Sequence, residues 1–102
     1  MRIAVKAFNH AIRASVGCQV CGEREVCCLD FHHIDPTEKR FTLGRINRAL
    51  SDFGSIINEV IKCTCLCANC HRKVHSGLIR TDDLNRITRE QIEQAVLTLE
   101  LT

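Results

Sequence analysis

Tryptophan and tyrosine are absent from this sequence, and four phenylalanines are its whole aromatic complement. Proteins that hold unpaired bases by stacking need an aromatic platform, so that mode of recognition is disfavoured. No apolar run approaches the roughly 20 residues that span a bilayer, and no membrane partner is expected. The first 16 residues lack an uninterrupted hydrophobic stretch, because Arg2, Lys6, His10 and Arg13 break it up, so a secretory leader is not expected. No internal repeat or low-complexity segment is present. Charge of one sign is also missing: 14 Lys and Arg stand against 12 Asp and Glu, a formal net charge of +2, which says little about partners.

What is present is cysteine, eight in 102 residues. In a chain expected in the cytoplasm, paired Cys-x-x-Cys at a distance points to zinc before disulfides. Cys18, Cys21, Cys67 and Cys70 form CxxC-x45-CxxC, and four thiolates suit a closed tetrahedral zinc site. Redox dithiols or buried free cysteines are the competing reading. Cys27, Cys28, Cys63 and Cys65 are surplus and are expected in strands as small buried hydrophobes. Cys65 is a rival ligand, since Cys65-Leu66-Cys67 permits a shifted register. A chain this short, with a modest core, gains from a metal staple. It is read as one domain over residues 1–102, with a core at 17–77.

In chain order, a helix is expected over 3–14, with Ile3, Ala7, Ala11 and Ala14 on one face and Phe8 and Ile12 beside it. It stops before Gly17 and should pack over the zinc site. The first knuckle is 18–22, its turn allowed by Gly22. A strand is expected over 26–32, ending at His32 and His33, and Pro36 takes the chain out of the ladder. Residues 37–51 form a long loop. A helix over 52–61, capped by Asp52 or Ser51, buries Phe53, Ile56, Ile57, Val60 and Ile61. A second strand at 62–66 leads into a helix at 68–75, which stops near Gly77. Thr88 and Gln91 resemble a capping box for a helix over 88–99 that buries Ile92, Ala95, Val96 and Leu99. The fold class is α+β.

Four of the five histidines lie in two clusters, His32-His33 and His71/His75, each tied to a knuckle. His71 and His75 are four apart and share a helix face. Neighbours in a strand point to opposite sides, so His32 and His33 need different roles. Basic residues flank these clusters: Lys39, Arg40, Arg45 and Arg48 on one side, Arg72, Lys73 and Arg80 on the other. Acids collect in 82–102. That distribution suits an anionic substrate, and it also suits ordinary solvated faces.

The stretches LDFHHIDP (29–36) and LCANCHRKVHSG (66–77), with CQVCG (18–22) upstream, resemble the HNH endonucleases, the ββα-metal or His-Me finger nucleases. The resemblance spans roughly residues 17–77. It implies a ββα-metal core with flanking helices and a knuckle pair, a general base at His33, and a catalytic divalent ion (Mg, Mn, Ni or Zn) on His32 and His71. In the branch that resembles colicin nucleases, His75 is a further ligand. The implied activity is hydrolysis of DNA phosphodiesters, double-stranded by the lack of stacking aromatics. The implied setting is the cytoplasm of a bacterium or phage-infected cell, in a phage or restriction-like role. Lys39, Arg40, Arg45, Arg48, Arg72 and Lys73 would hold neighbouring phosphates. The family's middle Asn, which ties down the loop of the base His, is replaced by Lys62. Lysine donates but does not accept, so Asn58 or a backbone group would have to share that task. An RNA-directed nuclease of the same architecture and a non-catalytic zinc module that binds nucleic acid are the alternatives. The latter keeps the cysteines but has no need of His33.

Overall fold

The computed structural model describes residues 5–43 and 53–101. Ile3, Gly44, Arg45, Arg48 and the candidate caps Ser51 and Asp52 lie outside the described residues. The elements are α1 (Val5–Val16), β1 (Leu29–His33), α2 (Phe53–Val60), β2 (Cys63–Cys67), α3 (Ala68–His75) and α4 (Arg89–Leu101), with short 3-10 turns at Val26–Cys28, Pro36–Glu38 and Thr81–Asp83. This is a small α+β fold built on one two-stranded antiparallel sheet. No helix among the described residues is long and apolar enough to cross a membrane.

The face of α1 differs from expectation. Phe8 and Ile12 are buried, whereas Ala7 is exposed and Ala11 only half-buried. An alanine offers little apolar area, so the helix gains more by turning its two large side chains inward. It packs chiefly on α4. Its last turn is joined through side chains to the segment that follows the first knuckle. Arg13 donates to the carbonyls of Val26 and Leu29, and Arg24 donates to those of Ala14 and Ser15. Gly17 ends the helix at φ 68°, and its N–H reaches the Arg13 carbonyl at 2.9 Å.

In the sheet, Leu29 pairs with Cys67, Phe31 with Cys65 and His33 with Cys63. The expected strand start at Val26 is therefore three residues early. Cys67 is the last residue of β2 and caps the following helix, so no strand lies opposite 26–28. Cys27 and Cys28 are exposed there, with their sulfurs 3.9 Å apart, which corrects the reading of both as buried strand residues. Cys63 and Cys65 do fit it. They are fully buried, and burial pushes both thiols up to about 12. Cys65 stays outside the sulfur cluster.

Phe8, Ile12, Leu29, Ile56, Val60, Leu66, Ile87, Ile92 and Ala95 form one continuous core. Each fully buried Leu or Ile in it contributes about 1.5–3 kcal/mol. The Ile87 N–H donates to the Cys63 carbonyl at 2.8 Å, bringing the approach to α4 alongside β2. The capping box forms as expected: the Thr88 N–H donates to Gln91 Oε1 at 2.8 Å, and the Gln91 N–H to Thr88 Oγ1 at 3.1 Å. Strand β2 runs directly into α3, which lies against both strands. That junction is what brings the two halves of the site together.

Candidate functional site

The four paired cysteines converge. One sulfur from each of Cys18, Cys21, Cys67 and Cys70 lies within 4.8 Å of the others. Cys21 Sγ and Cys67 Sγ are 3.6 Å apart, against about 3.8 Å for two sulfurs on a tetrahedral ion with 2.3 Å bonds. The two knuckles are built alike. The Cys21 N–H faces Cys18 Sγ at 3.5 Å, and the Cys70 N–H faces Cys67 Sγ at 3.4 Å. In the first, Gly22 adopts φ 86° and returns its N–H to the Cys18 carbonyl. In the second, the sulfur of Cys67 is itself the N-cap of α3, where amide dipoles favour an anion. Gln19 bolts the knuckles together: its N–H donates to the Cys65 carbonyl, and its Oε1 accepts from the Cys65 N–H and Thr64 Oγ1.

The electrostatics of the cluster are those of a cation site. Burial works against ionising Cys18, yet the backbone N–H groups of Cys21, Cys67 and Val20 bring its thiol down to about 6. Burial, and then the sulfurs of Cys67, Cys21 and Cys18, push Cys70 up to about 12. Four sulfurs this close cannot all carry charge on their own, and a divalent cation lets them do so.

A second cluster draws on the same helix. Nitrogens of His32, His71 and His75 also lie within 4.8 Å of one another, with His32 Nδ1 and His71 Nε2 3.2 Å apart. Burial, then the neighbouring imidazoles, lower the pKa of His32 below its ordinary value, which keeps its ring neutral and able to coordinate. Asp30 Oδ2 lies 3.3 Å from His71 Nδ1. A proton on Nδ1, donated to that carboxylate, leaves the Nε2 lone pair facing the cluster, the arrangement that orients metal-binding histidines. Asp30 was missed from sequence, although it stands two residues before His32 and so on the same face of β1. Three imidazoles suit a transition-metal ion with a position left open.

His33 is not part of that cluster. Its Nε2 lies 2.6 Å from Glu59 Oε2. Glu59, on α2, is 1% exposed and accepts two further hydrogen bonds, from the Arg40 N–H to Oε2 and from Lys62 Nζ to Oε1, both 3.0 Å. Burial alone would raise the Glu59 pKa, but the Arg40 amide, Lys62 and His33 outweigh it and hold it below the ordinary value. Lys62 Nζ also donates to the Glu38 carbonyl at 2.9 Å, and the Lys62 carbonyl accepts from the Ile34 N–H. The loop after His33 is thus tied by two side chains, Lys62 as donor and Glu59 as acceptor. Asn58 takes no part; its Oδ1 accepts from Arg89 Nη2 on α4. The signal for Glu59 was available in the sequence. It falls three residues after Ile56, on the apolar stripe of α2, where a carboxylate needs a reason.

His33, His71 and Lys39 border a groove of about 710 Å³ between α1 and β1, to which Lys6, Asn9 and Arg13 also contribute. Among the other basic candidates, Arg72 and Lys73 are exposed on α3, as is Arg40 on the loop. Arg45 and Arg48 lie outside the described residues. Comparison with known proteins gave no match: no family model, no curated protein and no solved structure is significantly similar to the chain.

Proposed function

We propose that this chain is a metal-dependent DNA endonuclease or nickase of the HNH type, with a structural zinc on Cys18, Cys21, Cys67 and Cys70 and a catalytic divalent ion on His32, His71 and His75. The observation that carries this reading is the divergence of two adjacent residues. His32 joins a three-imidazole cluster, whereas His33 meets a separate buried carboxylate and lines a groove with basic residues beside it.

Hydrolysis of a phosphodiester needs an activated water, neutralised charge on the phosphate and help for the leaving oxygen. His33, with the lone pair of its neutral ring, takes a proton from the attacking water. The water oxygen bonds to phosphorus as the bond from phosphorus to the 3′ oxygen breaks, and that oxygen is protonated from solvent. When bound, the ion would supply positive charge at the scissile phosphate and the leaving oxygen. Lys39, Arg40, Arg72 and Lys73 are available to adjoining phosphates. Strand β1 and helix α3 hold the His cluster against the thiolate cluster, so the zinc would lend rigidity to the site.

The test is a plasmid nicking assay with and without Mg²⁺, Mn²⁺, Ni²⁺ or Zn²⁺. Conversion of supercoiled to open-circular DNA that depends on added metal is the expected result. DNA binding with no nicking under any of the four ions would overturn the nuclease and leave a zinc module that binds nucleic acid.

A further inference from the structure

Glu59 is the one charged side chain fully buried among the described residues. Burying a carboxylate is costly unless its lone pairs are used. Two of its partners, the Arg40 N–H and Lys62 Nζ, would serve a purely structural anchor. The third and shortest, 2.6 Å, goes to His33, which an anchor does not require.

The division between the two oxygens is informative. Lys62 occupies Oε1, while His33 Nε2 and the Arg40 N–H share Oε2. An ionised carboxylate only accepts, so His33 Nε2 must carry the proton. In a neutral ring the lone pair is then on Nδ1, which has no hydrogen-bond partner among the described residues. We infer that Glu59 is a positioning residue for His33, holding the ring in the tautomer whose Nδ1 can accept a proton, and that Lys62 aims Glu59 by engaging its other oxygen. This deepens the proposed nuclease reading and rests on it for its catalytic meaning. The pair Glu59 and Lys62 divides between two side chains the donor and acceptor duties of a single amide.

The substitution Glu59→Gln separates positioning from anchoring. A glutamine that turns its oxygen to Lys62 gives up the hydrogen bond from the Arg40 N–H and presents its NH₂ to His33 Nε2, which must then become the acceptor, and the ring proton moves to Nδ1. Nitrogen-15 imidazole spectra of the full zinc-loaded chain, at about pH 8 where unperturbed histidine is neutral and without added divalent ion, read the tautomer directly. We expect the Nε2–H form for His33 in the wild type and its loss in Glu59→Gln, with kcat for nicking lowered at least about tenfold and KM within about twofold. The double variant Glu59→Gln/Lys62→Met frees the amide oxygen to face His33. It should recover the Nε2–H form and part of kcat, whereas loss of a loop anchor makes the double variant worse than either single one. If Glu59→Gln does not fold, the wild-type spectrum and that of Lys62→Met, which retains Glu59 and should retain the Nε2–H form, decide the matter. An Nδ1–H tautomer in the wild type, or an unchanged spectrum in a folded Glu59→Gln, overturns the inference even if the wild type nicks DNA. Absence of nicking alongside the expected spectra overturns the nuclease and leaves the Glu59–His33 positioning standing.

Discussion

Two clusters of ligand-type side chains share helix α3, and they differ in closure. Cys70 and His71 are neighbours in sequence, yet one joins four sulfurs and the other three imidazoles. In the sulfur cluster Cys18, Cys67 and Cys70 are 4%, 6% and 3% exposed and Cys21 lies at the surface, while the Cys21 and Cys70 amides face the sulfurs of Cys18 and Cys67. The imidazole cluster ends at exposed His75 and borders a groove through His71. A tetrahedral ion is saturated by four donors and left with a free position by three. Under the proposed function, the number of donors is what separates a staple from a reactive centre, and one short helix carries both sets because consecutive residues are turned about 100° apart.

The sharpest way to break this comparison is at the staple. Cys67→Ser removes a ligand and the thiolate cap of α3 together. Structural zinc binding is worth on the order of 10 kcal/mol of folding free energy, so the variant should lose its metal and most of its cooperative melt. Metal content and circular dichroism would check this, and a well-folded, zinc-free protein would refute the assignment. His71→Ala, one residue further on, should instead fold and keep the zinc.

The next effect, in activity, concerns the two neighbours on β1. His33→Ala should fold, keep both metals and bind DNA, but nick at least about 100-fold more slowly. Imidazole in the buffer is expected to restore part of the rate. His71→Ala should respond to excess divalent ion where His33→Ala does not. Equal nicking by His33→Ala and wild type would move the base to another residue.

A smaller effect is expected at Asp30. Asp30→Asn weakens the hold on the His71 ring, and loss of such an outer partner typically costs about 10–100-fold in metal affinity. Titration with Co²⁺ should show weaker binding at the imidazole cluster with the thiolate cluster untouched. Equal weakening at both would mean that the clusters are not independent.

The smallest effect is at the exposed cations. Lys39→Ala beside the groove and Lys73→Ala on α3 should each weaken binding to all DNA sequences alike and lower the salt dependence by about one charge. An unchanged slope in both variants would return these lysines to the role of solvated surface.

Much of the site was legible because short-range spacing carries it. Cys-x-x-Cys closes on one point through local turns. His71 and His75 share a helix face by periodicity, and adjacent strand residues diverge, as His32 and His33 do. The capping box at Thr88 and Gln91 is likewise a matter of four consecutive residues. What was not legible depended on partners far along the chain. The strand start slipped from Val26 to Leu29 because the opposite strand ends at Cys67 to cap a helix. The buried face of α1 is set by Phe8 and Ile12, on a helix that packs chiefly against α4.

The donor types and their spacing follow from the sequence by itself, and the structure brings them into two groups that could hold a metal ion. Only the tertiary structure decided what surrounds His33. Glu59 lies 26 residues away in sequence, and its helical position marks it merely as a carboxylate on an apolar stripe. Packing α2 against the sheet turns that carboxylate into the acceptor for His33, the Arg40 amide and Lys62 at once. Lys62, which stands where the resemblance expects an amide, engages the other oxygen of that carboxylate and the Glu38 carbonyl. The physical reason is that a buried carboxylate must gather every donor within reach, and which donors are within reach is set by the fold.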